Sequence, residues 1–248
     1  MKVLALYSIK GGVGKTSSTV NLAFNAAQAG YRTLVWDLDP QGASSYYFRI
    51  KPKIKGGSKD LIAGKRELEE LIKGTDFENL DLIPADFSFR NLDLLLDDKK
   101  KPTRQLKKHL KPLVKEYDVI FLDCPPNISL LSEAVFEAAD LLLSPIIPTT
   151  LSLRTLAQLT AFIEDHDLAS LSLIPFFSMV DGRKKLHKDI MQQALADYPA
   201  MLKTAIPYAS DIERMGLERK PLAAYSGNSR SVQAYLELWQ EVLARTVL

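Results

Sequence analysis

Two lysines flank a run of glycines near the N-terminus, in the sequence SIKGGVGKTSS at 8–18. The end of this stretch, GKT at 14–16, is typical of a loop that binds the phosphates of a nucleotide. The leading glycine that such loops usually carry is replaced by Ile9, and a second lysine, Lys10, precedes the glycines. The stretch therefore predicts a phosphate site with one cation more than usual.

Each part of this loop has a predicted role. Lys15 should reach the β and γ phosphates, and the Thr16 hydroxyl should bind Mg²⁺. The glycines let the backbone approach the phosphates, and the following helix N-terminus adds positive potential. We expect contacts with the nucleotide from the whole loop: Lys10, Gly11, Gly12, Val13, Gly14, Lys15, Thr16 and Ser17.

Three aspartates follow apolar runs that are typical of buried strands. Asp37 and Asp39 stand in DLDPQG at 37–42, and Asp123 ends the run DVIFLD. A carboxylate at the end of a buried strand is costly without a partner, and Mg²⁺ with its waters is a suitable one. Of the first two aspartates, one can serve the metal's water shell and the other can orient an attacking water. A helix N-cap is the structural alternative for Asp39.

Apolar runs that alternate with helical patterns indicate the elements that position these residues. Continuous apolar strands are buried on both faces, as in parallel sheets flanked by helices. We therefore predict one α/β domain over 1–248, with a doubly wound, mostly parallel sheet. The predicted strands are 3–7, 33–36, 80–83, 119–122, 141–147, 171–177 and 203–206. The predicted helices are 16–29, 86–97, 102–116, 129–139, 151–165, 185–197 and 229–246, with 49–79 as a surface excursion containing a short helix.

Composition excludes several classes of protein. Apolar residues make up 46% and charged residues 25% of the chain, as in a soluble globular protein, and the net charge of +2 does not by itself indicate nucleic acid. The single cysteine, Cys124, excludes an internal disulfide and a multi-thiolate metal site, so we expect a cytoplasmic protein. No apolar run approaches the roughly 18 residues of a transmembrane helix.

Several segments together resemble the ParA/MinD family of deviant Walker ATPases. They are KGGVGKTSSTVNLA at 10–23, DLDPQG at 37–42, FLDCPP at 121–126, AIP at 205–207 and AYLELW at 234–239. The resemblance is strongest to the short, Soj-like ParA branch, and it implies a P-loop NTPase fold and slow hydrolysis of ATP with Mg²⁺.

The resemblance also assigns roles to individual residues. Lys10 matches the family's signature lysine, which crosses the interface of an ATP-sandwiched homodimer to the partner's nucleotide. Lys10, Lys15 and Asp39 would then be catalytic, with Asp39 acting on the hydrolytic water. Thr16, Asp37 and Asp123 would serve the magnesium ion. The adenine is expected beside Met179 and Pro207.

The ParA branch binds DNA without sequence specificity in its ATP state, associates with the nucleoid, and hydrolyses ATP when an adaptor protein stimulates it. The resemblance therefore implies that the protein positions a cargo such as a plasmid, a chromosome or a protein assembly. Tyr208 and Asp211 stand where many members carry arginines, so part of the usual basic strip is missing. The candidate DNA contacts are Arg183, Lys184, Arg214, Arg219 and Arg230.

Other interpretations remain open at this point. The protein could be a nucleotide-switched scaffold without DNA binding, or a small-molecule ligase on the same fold. A MinD-like membrane contact is disfavoured because the last helical pattern, 231–248, is typical of a packed helix. The lysine-rich segment 99–115 is a rival basic surface, although a solvated helix face explains it better, and His109 is expected to be part of that surface.

Overall fold

The computed structural model describes residues 1–168 and 170–246. Within these ranges eight strands form one sheet in the order β3-β4-β2-β5-β1-β6-β7-β8, and every neighbouring pair is parallel except β3 and β4. The strands are β1 Lys2–Leu6, β2 Thr33–Asp37, β3 Lys73–Gly74, β4 Leu80–Ile83, β5 Val119–Asp123, β6 Leu141–Ile146, β7 Ser172–Val180 and β8 Ala205–Pro207. The predicted α/β class with a mostly parallel sheet is confirmed.

Helices cover both faces of this sheet. They are α1 Lys15–Gln28, α2 Ala43–Tyr47, α3 Gly57–Ile62, α4 Leu92–Asp97, α5 Gln105–Leu110, α6 Leu130–Ala138, α7 Thr150–Asp165, α8 Lys185–Asp197, α9 Ser210–Glu213, α10 Met215–Glu218 and α11 Arg230–Arg245. Short 3-10 turns lie at Leu68–Leu71, Phe87–Asn91, Pro102–Arg104, Lys111–Lys115 and Leu222–Ala224.

The strand order places the candidate site at the carboxyl ends of the central strands. The neighbouring strands β1 and β5 have connections that run in opposite directions, from β1 to β2 and from β5 to β6, and ligands bind at such a switch point in open α/β sheets. The register aligns Asp37 with Asp123 across β2 and β5, and Leu6 with Asp123 across β1 and β5. The carboxyl ends of β1, β2 and β5 therefore meet where the glycine loop begins.

The last described helix is packed, as predicted. Val232, Tyr235, Leu238, Trp239 and Val242 of α11 are buried in the apolar core that α11 shares with α1 and the sheet. This spacing places all five side chains on one face of the helix. Across 1–168 and 170–246, no helix is both long enough and apolar enough to cross a membrane.

The predicted helix 102–116 is wrong as a single element. It is divided into a 3-10 turn, α5 and a second 3-10 turn that contains Pro112. Proline has no N–H to donate to the preceding turn and its ring clashes there, so a regular helix cannot continue through this position. After the change in winding Val114 is 47% exposed.

His109 is a second correction in the same segment. It is 8% exposed rather than a surface residue. Leu106, His109 and Leu110 follow the three- and four-residue spacing of one helix face, and all three are buried. Burial lowers the pKa of the His109 imidazole, which favours the neutral ring.

Candidate functional site

The glycine loop connects β1 to α1 and holds the Lys15 side chain against the loop backbone. Gly14 caps α1 with a left-handed φ of 90°, and a Cβ there would lie 2.8 Å from the Ser178 Oγ, so the position requires glycine. Lys15 is 7% exposed, and its Nζ donates to the Lys10 carbonyl oxygen at 3.4 Å. Burial lowers the pKa of Lys15, which indicates that its ammonium lies where an anionic ligand would offset the lost hydration.

Lys10 has a fixed backbone and a half-buried side chain. Its N–H donates to the Ser8 Oγ at 3.3 Å, while its carbonyl accepts from Lys15. Among the residues that the structure describes, no carboxylate forms an ion pair with the Lys10 ammonium. The loop thus presents two lysines, of which only Lys15 lies deep in the chain's own site.

Two of the three predicted carboxylates form a buried pair. Asp37 and Asp123 are both fully buried and lie opposite each other at the ends of β2 and β5. Ser45 donates to the Asp37 Oδ2 from both its N–H, at 2.8 Å, and its hydroxyl, at 2.7 Å. The Ser44 hydroxyl donates to the Asp123 Oδ2 at 2.7 Å.

Sequence reasoning missed Ser44 and Ser45, although they closely follow the DLDPQG segment. Both belong to α2, a helix too short to leave a periodic apolar pattern. Two consecutive serines just after a conspicuous aspartate segment were the available signal. Their hydroxyls fix the orientation of Asp37 and Asp123.

The buried pair suits a divalent cation. Burial raises the pKa of both carboxyls, that of Asp37 to about 8, and neighbouring negative charge raises them further, Asp123 acting on Asp37 and Asp39 acting on Asp123. The Asp37 Oδ1 is buried and has no hydrogen-bond partner among the described groups. The Thr19 hydroxyl donates to the Asp123 Oδ1 at 3.4 Å, and the Thr16 hydroxyl is near enough to lower the pKa of the same carboxyl against the effect of burial. Thr16, Asp37 and Asp123 therefore offer Mg²⁺ the hard oxygen ligands and charge that it prefers.

Asp39 occupies a different environment, two residues beyond the end of β2. It is half-buried, and its Oδ1 accepts from the Gln41 N–H at 2.9 Å while its carbonyl accepts from Gly42 at the same distance. The N-cap of α2 is Gly42, so the structural alternative of Asp39 as a helix N-cap is wrong. Asp39 is a loop residue beside the buried pair.

The two residues predicted to contact adenine come together. Met179 and Pro207 line one cleft with Ser178 and with Ser17 of α1. Met179 interrupts β7 with a left-handed φ of 54°, where the pairing with β8 is irregular. The cleft connects the start of α1 with the ends of β7 and β8, where a base attached to loop-bound phosphates can reach.

Two of the five predicted DNA contacts line one groove of about 870 Å³. Arg183 precedes α8 and Arg230 begins α11, and Lys188 of α8 joins them there. Lys184 is exposed beside Arg183. The Arg183 guanidinium donates to both carboxylate oxygens of Asp181, at 2.9 and 3.0 Å, which lowers the pKa of that carboxyl to about 2. Lys188 was missed, although it follows Lys184 by one helical turn.

The other two predicted contacts are engaged elsewhere. The Arg214 Nη2 lies 3.2 Å from the Glu218 Oε1, one turn further along the chain. The Arg219 guanidinium stacks on the Tyr46 ring at 4.4 Å and donates to the Tyr46 carbonyl at 3.2 Å. The groove that contains Arg183 and Arg230 is lined by neither Arg214 nor Arg219.

Asp211 organises the segment before Arg230. Its carboxylate accepts from the hydroxyls of Ser226, Ser229 and Ser231 at 3.3, 2.8 and 2.8 Å. These bonds fix the turn that leads into α11. The aspartate therefore has a structural partner set where the sequence indicated only a missing arginine.

The buried carboxylate pair leads to a prediction about pH. In the nucleotide-free protein the raised pKa of Asp37 means that the folded chain keeps a proton which the unfolded chain releases above about pH 4. The contribution of that proton to the free energy of unfolding is fully present below about pH 4 and is lost as pH rises toward about 8. We expect the free energy of unfolding of Asp37→Asn to decline less across this window than that of the wild type, in urea titrations.

Asp118→Asn is the matched control for this experiment. Hydrogen bonds from Arg32 lower the pKa of the partly exposed Asp118 to about 2, so its stabilising effect is lost only as pH falls below about 4. Between about pH 5 and 8 this variant should therefore run parallel to the wild type. A parallel curve for Asp37→Asn would show that Asp37 titrates normally.

Comparisons with known proteins match this geometry. A family profile described as an AAA domain matches residues 1–171. The sporulation initiation inhibitor protein Soj of Bacillus subtilis is 30% identical over 98% of this chain and 98% of its own length. A cobyrinic acid a,c-diamide synthase from Mycobacterium smegmatis, solved with ADP and magnesium, is 25% identical with a TM-score of 0.84, covering 99% of this chain and 95% of that one.

A second solved structure supports the fold alone. It is an ATP complex of a McdA variant from Cyanothece, 22% identical, with a TM-score of 0.86 over 100% of this chain and 98% of that one. The whole described sheet and its helices thus have a counterpart in a nucleotide-bound protein.

Proposed function

This chain belongs to the ParA/Soj family of ATPases, and from that premise we propose that residues 1–248 form one Mg²⁺-dependent ATP hydrolase that dimerises around ATP and positions a cargo. The observation that carries the proposal is the convergence of a two-lysine phosphate loop on the buried pair Asp37 and Asp123. A structural protein has little reason to bury two adjacent carboxylates beside a lysine loop, because the pair costs folding free energy.

Hydrolysis of ATP requires that charge on the γ phosphate be stabilised and that a water be aligned with it. Lys15 and the loop N–H groups would bind the phosphates of the chain's own nucleotide, and Mg²⁺ held by Thr16, Asp37 and Asp123 would supply further positive charge. Asp39 would accept a hydrogen bond from the water and orient it. Lys10, whose ammonium forms no ion pair among the described residues, would contact the partner's phosphates.

We propose slow turnover by the isolated protein. A switch that hydrolyses ATP at once cannot hold its ATP state, so an adaptor protein that binds the dimer would stimulate the reaction. The ATP state would associate with nucleoid DNA and the ADP state would leave it. The family membership supports this cycle.

The groove containing Arg183, Lys188 and Arg230 is the surface that we propose for DNA. Phosphate contacts of this kind give affinity that depends on salt and not on sequence. Arg230 is exposed and forms no ion pair within the described ranges, so its guanidinium is available without breaking an interaction. Arg183, Arg214 and Arg219 would have to exchange their present partners before contacting DNA.

We expect Arg230→Ala to weaken ATP-dependent binding to random duplex DNA and to reduce the slope of log affinity against log salt concentration by about one for each chain that binds. Gel shifts and fluorescence anisotropy across a salt series measure both. Arg245→Ala is the control, because Arg245 is an exposed arginine in the last turn of the same helix. An unchanged salt dependence for Arg230→Ala would exclude a direct phosphate contact.

The same gel shift tests the proposed function as a whole. Random duplex should be bound with ATP and Mg²⁺ and released with ADP. Equal binding in both states would contradict the switch. No binding in either state would leave a nucleotide-dependent scaffold that recruits proteins without DNA.

A further inference from the structure

A groove of about 560 Å³ at the margin of the sheet is left unexplained by ATP hydrolysis. We call it the lysine groove. One wall is the loop after α2, and the other leads into the edge strand β3. Its rim carries four lysines, and its floor is apolar, formed by Ile50, Ile54, Leu71 and Pro84. The rim lysines are Lys51, Lys53, Lys55 and Lys73.

The rim carries four lysines against one lining carboxylate, Glu70, and a second carboxylate, Asp86, lies near Lys53. All four lysines are exposed, and within 1–168 and 170–246 none of them forms an ion pair. Glu70 is the acidic side chain of the lining, and it is bonded to Arg66. The groove therefore presents a concentrated positive potential that favours an acidic ligand.

The floor identifies the kind of acidic ligand. Ile54 and Leu71 are core residues, 4% and 3% exposed, whose remaining surface faces the groove beside Pro84. A nucleic-acid backbone would engage the lysines but leave this concave apolar floor unfilled. A protein segment that carries both carboxylates and apolar side chains satisfies the rim and the floor together.

The lysine groove is held in shape by hydrogen bonds from a neighbouring loop. The Asp86 Oδ2 accepts from the Ile54 N–H at 2.9 Å, and the Ser58 N–H donates to the Ser88 Oγ at 2.8 Å. Pro52 packs so closely against Gly42 that a side-chain Cβ on residue 42 would lie 2.8 Å from the proline ring. A preformed wall reduces the ordering cost of a ligand.

We propose that the lysine groove docks an acidic segment of a partner protein, with apolar side chains of that segment on the floor between Ile54 and Leu71. The groove shares no lining residue with the nucleotide cleft or with the groove that contains Arg183 and Arg230. The docking is therefore a second interaction surface, independent of the proposed DNA contact.

The experiment uses the full chain and a fluorescein-labelled octapeptide of alternating glutamate and leucine. Fluorescence anisotropy should show binding with a Kd below about 1 mM that weakens as salt is added. Lys53→Glu/Lys55→Glu should weaken it by at least about tenfold, since each reversal replaces an attraction with a repulsion. Lys73→Glu on the opposite wall should weaken it in the same direction.

Matched controls separate the groove from general charge. Lys108→Glu/Lys115→Glu changes two exposed lysines elsewhere by the same amount and should leave the affinity unchanged. Octapeptides of alternating glutamate and serine, or of lysine and leucine, should bind at least about tenfold more weakly. Thermal melts establish that each variant is folded.

Three outcomes would overturn the proposal. The first is no binding of the glutamate and leucine peptide, and the second is an equal loss of affinity in both double variants. The third is a loss of random duplex binding in Lys53→Glu/Lys55→Glu with peptide affinity intact, which would make the surface a nucleic-acid contact. ATP turnover, measured on the same samples, reports separately whether the proposed ATPase function holds.

Discussion

Lys10→Ala is expected to abolish dimerisation driven by ATP while each chain still binds ATP. Lys15, not Lys10, is the lysine buried in the chain's own loop, and its Nζ already lies beside the loop backbone. Lys10 is held through its N–H and carbonyl, so its side chain can extend toward a second molecule without disturbing the loop. In a symmetric dimer the substitution would remove this lysine from both nucleotides at once.

The size of this effect follows from the charge on the triphosphate. A hydrogen bond to a charged group contributes about 1.5–3 kcal/mol, so removal of two should weaken dimerisation by more than about a hundredfold. Light scattering with a non-hydrolysable ATP analogue measures dimerisation, and the fluorescence of a labelled nucleotide measures binding. Lys15→Ala is the contrasting variant, because it should lose the nucleotide itself. Intact dimerisation and turnover in Lys10→Ala would exclude a role in trans.

Local chemistry made much of the site predictable. GKT at 14–16 and the aspartates that end β2 and β5 are short-range signals, and the parallel sheet places their strand ends side by side. Residue spacing also predicted the packed face of α11. These features depend on periodicity and strand order, which the sequence carries directly.

The remaining features depend on contacts between distant segments. Ser44 and Ser45 stabilise the carboxylate pair through bonds that span 79 and 8 residues. Arg219 contacts Tyr46, 173 residues away, and therefore does not line the groove that contains Arg183 and Arg230. No local pattern encodes the two long-range pairings, that of Ser44 with Asp123 and that of Arg219 with Tyr46. The burial of His109, in contrast, was predictable, because its spacing from Leu106 places it on the buried helix face. The lysines before and after it in the sequence obscured that signal.

Asp39→Ala is expected to bind ATP and dimerise like the wild type but to hydrolyse ATP at least about a hundredfold more slowly, the usual loss when a group that positions or activates water is removed. Asp39 lies outside the buried pair, and its Oδ1 bonds to the Gln41 N–H, so its loss leaves Asp37 and Asp123 in place. Gln41→Ala is the matched control, since it keeps that backbone N–H and changes an exposed side chain in the same loop. Single-turnover hydrolysis separates the outcomes. A rate near that of the wild type would remove Asp39 from the chemistry, whereas equal losses in both variants would assign the effect to the loop rather than to the carboxylate.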